Sequence, residues 1–244
     1  MNHTIAILAY NNHELTIKNI DELTKENSNK NILLFDNGST PSFKEYIKKY
    51  DIQYHREEKN LYVNPGWNKI FDLVKTKYLT LLNNDCYILS NNYFTDILKH
   101  MNKHDVALSS CKTINKKKFS ISTLKFYKYY FNFFANQNLK YSTKARRQGW
   151  IMTLDLDIYK KLDYKIPNYL KVWYGDDWIW SQIVNHDEKY FIYKNRYALH
   201  IRNQTIQNEE IKKIIDLDKK RMLEKNNWVN KNIYCKSRLF NRYI

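Results

Sequence analysis

Residues 4–35, TIAILAYNNHELTIKNIDELTKENSNKNILLF, decide how the rest of the chain is read. Residues 4–10 form a short, apolar, β-branched run of the kind that makes a buried strand. From His13 to Glu26, Ile17, Ile20 and Leu23 gather near one helical face. Residues 31–35 are short and apolar again, so the stretch predicts strand, helix, strand. Turn chemistry follows in DNGSTP (36–41). Phe43, Tyr46, Ile47 and Tyr50 then fall at i, i+3, i+4 and i+7 and predict a second helix. Residues 52–55 read as a third strand, and Trp67, Ile70, Phe71 and Val74 as a helix opened by Pro65. Residues 78–82 (YLTLL) are the fourth strand, with a helix marked by Phe94, Ile97, Leu98 and Met101 behind it. This alternation predicts an α/β fold: a largely parallel sheet with helices on both faces. Ligands of such sheets sit beyond the carboxyl ends of the strands.

Composition bounds the alternatives. The chain has 244 residues, 43% of them hydrophobic and 16% aromatic, which excludes a wholly disordered protein. Four glycines exclude collagen-like architectures. No run of about 18 apolar residues suggests a membrane span, and the opening MNHTIAILAY does not read as a signal peptide. Cys86, Cys111 and Cys235 are odd in number and widely spaced, which fits a reducing compartment. The expectation is a cytoplasmic protein. The net charge of +16 has two readings. One is genomic, since Lys, Asn, Ile and Tyr all have A/T-rich codons; the other is an anionic partner.

Beyond Asp105 the pattern loosens. Residues 112–147 hold ten Lys or Arg and no acid, interleaved with Phe and Tyr. A strand-like GWIMTLDLD (149–157) follows, then a short helix and the aromatic run VWYGDDWIW (172–180). YFIY (190–193) and YALHI (197–201) read as two last short strands, and the tail from Gln207 as a basic helix. Neither GxGxxG nor GxxxxGK[ST] occurs, against an ordinary dinucleotide fold or a P-loop. The four glycines lie in DNGST, NPGWN, QGW and YGDD, polar clusters where shaped backbone is expected.

Taken in order, AYNN (9–12), LLFDNGST (33–40), KNLYVNPGWNKI (59–70), YLTLLNNDCYI (78–88), GWIMTLDLDIYKKL (149–162), YGDDWIW (174–180) and LHIRNQT (199–205) resemble a family-2-like glycosyltransferase of the GT-A fold. The resemblance covers roughly residues 4–205. It implies an α/β GT-A domain over 1–205 with a Rossmann-like, mixed but mostly parallel central sheet, divided into a nucleotide-sugar half (1–105) and an acceptor half (106–205), plus a basic helical C-terminal extension (206–244). It implies a donor that is a nucleoside-diphosphate sugar, UDP-sugar favoured, and Mn²⁺ or Mg²⁺ as cofactor. Asn83-Asn84-Asp85 stands where the family has its DXD motif, so Asp85 becomes a metal ligand and Asn83 replaces the first carboxylate. His200 matches a late metal or phosphate ligand. Asp36 resembles the residue that reads the nucleobase or ribose, with Tyr10 and Asn11 lining the same pocket and Asn60 and Asn68 flanking the donor. Gly175-Asp176-Asp177 resembles the segment that supplies the general base, so Asp177 is expected as the base of an inverting, single-displacement transfer and Asp176 as its fallback.

Each element has a plainer reading. Asp36 suits an Asx turn, NND another turn, and Asp176 and Asp177 charges at a helix start. The literal DXD at Asp155-Leu156-Asp157 is misplaced for the metal, and Asp157 reads as an N-cap. His100 and His104 at i, i+4 read as surface residues. The acid-free segment, with Lys116, Lys117, Lys118, Lys125, Lys128, Arg146, Arg147 and Trp150, is the expected acceptor or polyanion surface. Its partner is a surface glycan or lipid-linked glycan precursor met at the inner membrane face, or a hydroxylated base in viral DNA, or a phosphorylated glycan or protein. Two other classes stay open: a catalytically silent nucleic-acid-binding protein on this fold, and a nucleotidyltransferase.

Overall fold

The computed structural model describes residues 2–26, 31–116, 120–135, 138–143, 149–201, 209–225 and 227. Along the chain run β1 (His3–Ala9), α1 (His13–Glu26), β2 (Asn31–Asp36), β3 (Gln53–Arg56), α2 (Val63–Leu73), β4 (Tyr78–Asn83), β5 (Cys86–Ile88) and α3 (Tyr93–His104). They are followed by β6 (Leu108–Lys116), α4 (Ile121–Ala135), β7 (Tyr141–Ser142), β8 (Ile151–Asp155), α5 (Leu156–Tyr159), α6 (Gly175–Asn185), β9 (Tyr190–Ile201) and α7 (Glu209–Glu224). One sheet in the order β3-β2-β1-β4-β8-β6-β9-β5 joins the strands, with β7 paired to β9. The first four strands of that order are parallel. β8 enters antiparallel between β4 and β6, β9 runs parallel to β6, and β5 closes the edge antiparallel to β9.

Strand alternation sends side chains to opposite faces. Ala6, Leu33, Phe35, Leu79 and Leu81 join Trp67, Ile70 and Phe71 of α2 and Trp178, Ile179 and Ile183 of α6 on one face. Ile5, Ile7, Ile32, Leu34 and Leu82 meet Ile20 and Leu23 of α1 and Phe94, Ile97 and Met101 of α3 on the other. α4 lies over the last strands, its Leu124, Tyr127 and Phe131 packing with Tyr87, Leu199 and Tyr197. α7 is part of the body too: Ile211, Ile215 and Met222 are buried, and Met222 belongs to the α2/α6 core.

Three local expectations change. Residues 43–50 form turns instead of a helix. Phe43 and Ile47 are buried as the spacing requires, but Tyr46 points to solvent. The bond from Ile47 N–H to the Phe43 carbonyl (3.2 Å) gives way to a tighter i→i+3 closure at Tyr50, and so short a segment is a poor helix nucleus. The two last strands are one strand, β9, with an irregular register: Cys111 pairs with Tyr193 while Lys112 pairs with Tyr197. The extra residues are polar and satisfied there, Asn195 bonding Lys140 N–H and the Asn138 carbonyl, and Arg196 pairing with Asp96 at 2.6 Å. The cap of α5 is Asp155, whose Oδ1 accepts from the amides of Asp157 and Ile158; Asp157 is not the cap.

Glu22 of α1 ties the helical layer to α4 through Lys128 at 2.8 Å, with Lys18 at 3.3 Å on the same carboxylate. Burial alone would raise its pKa, but the lysines win and lower it from 4.5 to about 2. A depressed carboxylate stabilises the fold above its unfolded pKa and loses that contribution as pH falls towards the folded value. Glu22→Gln should therefore be less stable than wild type near neutrality. Urea midpoints of the two proteins should converge as the pH is lowered from about 4.5 towards 2.

Candidate active site

The strand order reverses direction at β1. The chain passes through α1 to β2 on one side and later returns through α2 to β4 on the other. The carboxyl ends of β1 and β4 therefore open into the crevice where such sheets bind ligands. Leu8 pairs with Asn83, so Tyr10 and Asn11 leave the sheet beside Asn83, Asn84 and Asp85. The turn carrying Asp85 is held from α1: Asn19 Nδ2 donates to the carbonyls of Asn83 (3.2 Å), Asn84 (3.3 Å) and Cys86 (2.9 Å), and Asn84 Nδ2 donates to Thr16 Oγ1 at 3.0 Å.

Antiparallel pairing of β5 with β9 sets Cys86 opposite His200, and Ile201 N–H donates to the Asp85 carbonyl at 3.0 Å. His200 Nε2 stands 3.6 Å from Asp85 Oδ1. That oxygen is buried without a hydrogen-bond partner, and desolvation pushes the carboxyl up to about 7. The other ring nitrogen, Nδ1, lies 3.0 Å from Asn115 Oδ1 on β6. Donation to this acceptor makes Nδ1 the protonated nitrogen and turns the Nε2 lone pair towards Asp85. An orphaned hard oxygen beside an imidazole oriented through its far nitrogen is a donor set suited to a divalent cation. Among the described residues no group of three His, Cys, Asp or Glu could hold a metal, so those residues offer two ligands, Asp85 and His200, and the other positions of a hard cation would fall to phosphate and water oxygens.

The segment Gly149–Trp150 joins this pair to the rest of the site. Trp150 stacks on His200 (centroids 4.5 Å apart, planes at 24°), and its carbonyl accepts the Asn83 N–H at 3.0 Å. Its neighbour Gly149 lies against the Asp176 carboxylate so closely that a Cβ there would be 2.7 Å from Oδ2. Asp176 and Asp177 occupy the first turn of α6, where the helix dipole favours negative charge, and Asp177 is buried. Tyr174 takes a left-handed conformation (φ 66°) to start that helix. Gly175 meets α2, where a Cβ would run into Asn64 Oδ1. The loop leading in is anchored by Asp218 of α7, which is fully buried and accepts from three successive amides, Lys171 (2.9 Å), Val172 (2.7 Å) and Trp173 (2.9 Å).

The residues expected on the donor side are placed as follows. Tyr10 is exposed at the crevice, and Asn11 bridges to the next loop through Ser39 Oγ and Thr40 N–H. Asp36 is fully buried; its carboxylate accepts from the Ser39 and Phe43 amides, Tyr54 OH and Arg56 Nη1. Burial would raise its pKa, but these donors outweigh it and hold Asp36 below the ordinary carboxylate value. Asn60 accepts from Asn37 Nδ2 and Tyr62 N–H and so fixes the loop before α2. Asn68 faces elsewhere, clasping both backbone groups of Ile166.

Of the expected anion-binding residues, Lys116 sits over the Tyr127 ring and Lys125 is exposed, but Lys128 is engaged by Glu22. Lys117, Lys118, Arg146 and Arg147 lie outside the described residues, as does Cys235. Asp155 faces Lys77 at 3.6 Å while it caps α5. His100 and His104 are half-buried in an aromatic cluster, His100 bonding Tyr193 OH at 3.0 Å.

The sequence pattern of the family described as "Glycosyl transferase family 2" matches residues 4–163. The chain belongs to glycosyl transferase family 2. It has the GT-A fold, and solved structures share that fold. Residues 1–349 of S. aureus TarS superpose with a TM-score of 0.61 at 13% identity, covering 91% of this chain and 66% of that one. The same TarS fragment in complex with UDP-GlcNAc gives 0.62 at 12% identity, covering 91% and 67%. GalNAc-T7 with UDP, GalNAc and Mn²⁺ gives 0.64 at 12% identity, covering 83% and 43%. The mannosyltransferase PcManGT from Pyrobaculum calidifontis, in complex with GDP-Man and Mn²⁺, gives 0.62 at 11% identity, covering 84% and 58%. This family member thus spans 43–67% of the length of these relatives. No curated protein matches it in sequence.

Three residues that shape this site lie outside the quoted motifs: Asn19, Asn115 and Asp218. Asn19 gave a faint signal, a polar residue on the apolar stripe with Ile20 and Leu23. Asp218 gave none, since its partners are main-chain amides 45–47 positions away. Asp218→Ala would strand three amide donors, a loss of roughly 3 kcal/mol. Thermal melting should fall by about 6–12 °C in a chain of this size, and turnover should drop further than donor binding.

Proposed function

We propose that this glycosyltransferase moves a sugar from a UDP-sugar to an acceptor hydroxyl by single displacement, with inversion at the anomeric carbon. The observation that carries this reading is the Gly149–Trp150 junction, which touches the Asp85 turn, the His200 ring and the Asp176 carboxylate at once. A leaving-group pocket and an acid–base pair are the two halves such a reaction needs, and one short segment sets their spacing. UDP in GalNAc-T7 and UDP-GlcNAc in TarS support a uridine donor, while GDP-Man in PcManGT keeps the nucleotide a matter for experiment.

Asp85 and His200 would hold Mn²⁺ or Mg²⁺, and the bound ion would supply positive charge to the departing diphosphate. The unprotonated Nε2 suits Mn²⁺ better. Asp177 takes the proton of the acceptor hydroxyl as its oxygen forms the new bond to the anomeric carbon. The bond from that carbon to the diphosphate oxygen breaks, and a nucleoside diphosphate leaves with the electron pair. Asp176, fixed against Gly149, orients the acceptor and is the second candidate for the base. Asp36 acts by ordering the loop 37–43 beneath the nucleotide, with Asn11 and Asn60 tying its two sides. The acceptor we favour is a lipid-linked or surface glycan precursor.

A thermal-shift series with UDP, GDP and their sugars, each with Mn²⁺ and with EDTA, tests the donor side, because a ligand that binds only the native state raises the melting temperature. Asp85→Ala should abolish the Mn²⁺-dependent part of that shift. Asp177→Asn should keep the shift and lose about 10²–10⁴ in turnover. Near-normal turnover in Asp177→Asn would move the base to Asp176, and silence towards every donor in a folded protein would refute the reading.

A further inference from the structure

The outward face of α4 has no role in the site described above. Its inner stripe, Leu124, Tyr127 and Phe131, is packed on β5 and β9. The opposite stripe, Phe126, Tyr129 and Tyr130 at i, i+3 and i+4, stands in solvent with 63%, 85% and 49% of its surface exposed. Three neighbouring large aromatics on one exposed helical ridge are unusual, since aromatic surface is normally buried. Phe126 and Tyr130 stack in parallel, with centroids 6.3 Å apart and planes at 13°, so the ridge is a formed surface.

Its charge is one-sided. Lys112 and Lys116 lie at its base, over the rings of Tyr197 and Tyr127, and exposed Lys125 is on the helix itself. The helix contains no acid, and Glu22, the carboxylate that reaches it, is held by Lys128 and Lys18. A flat-lying helix with an aromatic outer stripe flanked by lysines matches the chemistry of an anionic lipid interface, where aromatic rings settle at headgroup level and lysine stems extend to the phosphates. Single-stranded nucleic acid, by contrast, is stacked and tracked in a groove, and this surface is a ridge.

We propose that the outward face of α4 docks on an anionic bilayer, where the enzyme meets a lipid-linked acceptor. The helix rests on Tyr87 and Leu199, which are the sequence neighbours of Cys86 and His200 beside Asp85, so docking there brings the crevice to the membrane surface. The choice of acceptor rests on the transfer reaction proposed above; the docking itself does not.

The test is co-sedimentation of the full chain with vesicles of phosphatidylcholine alone, or with about a third phosphatidylglycerol, in the absence of donor and acceptor. Binding is expected to the anionic vesicles only and to weaken with salt. The triple variant Phe126→Ser/Tyr129→Ser/Tyr130→Ser should bind about tenfold more weakly, while keeping its donor-induced thermal shift. Tyr129→Ser alone, at the most exposed position, gives a smaller loss with little risk to folding. Lys112→Gln with Lys125→Gln should flatten the salt dependence. Unchanged vesicle binding in the triple variant overturns the proposal, as does absence of vesicle binding together with salt-sensitive capture of a DNA oligonucleotide. A donor shift without vesicle binding would refute docking and leave the transfer reaction standing; vesicle binding without any donor shift would do the reverse.

Discussion

One main-chain hydrogen bond, from Asn83 N–H to the Trp150 carbonyl, fixes the geometry of the candidate site. It forms because β8 enters the sheet against the direction of β4, bringing residues 67 positions apart to the same end of the sheet. The parallel strands before it provide a crevice at a reversal of strand order, as any open α/β sheet would. The antiparallel entry then closes that crevice from the second half of the chain and delivers the tryptophan that stacks on His200. Without it the turn carrying Asp85 and the helix carrying Asp176 and Asp177 would have no common reference point.

The buried Asp85 is the electrostatic counterpart of that constraint. A carboxylate with an orphaned oxygen is costly in a dry site unless positive charge arrives, and among the described residues the side chains that hold its turn and the facing imidazole are neutral amides. Asn19, Asn84 and Asn115 orient the carboxyl turn and the imidazole without competing with a cation for the Asp85 carboxylate, as lysine or arginine would. In a chain with a net charge of +16, the use of three neutral amides for these contacts is a local choice of residue.

The period of hydrophobic residues made the N-terminal half readable, because buried strands and amphipathic helices there repeat over several turns. The reading failed where a single hydrogen bond overrides the period. Residues 43–50 have the helical spacing yet close as turns, and β9 continues through a polar bulge that looks like a break because Asn195 and Arg196 find partners from other elements. The ordered motifs point to Asp85, His200 and Asp176, which the fold gathers around Gly149–Trp150, with Asp177 buried in the same helical turn as Asp176. Asp36 and Asn68 show the limit of that approach, since side chains in donor-like positions are bound to loops of this protein itself. Asp218 and Asn115 were invisible for a related reason: what they do depends on contacts that only tertiary structure creates.

α7 changes what counts as the unit of inheritance in this protein. The family pattern ends at residue 163, yet the loop that delivers Asp176 and Asp177 hangs from a carboxylate at residue 218, with Arg221 gripping the Tyr169 carbonyl beside it. A tail of that kind cannot be exchanged between relatives as a detachable module. Any recombination that swaps it must bring along the matching loop, and the two segments should therefore vary together.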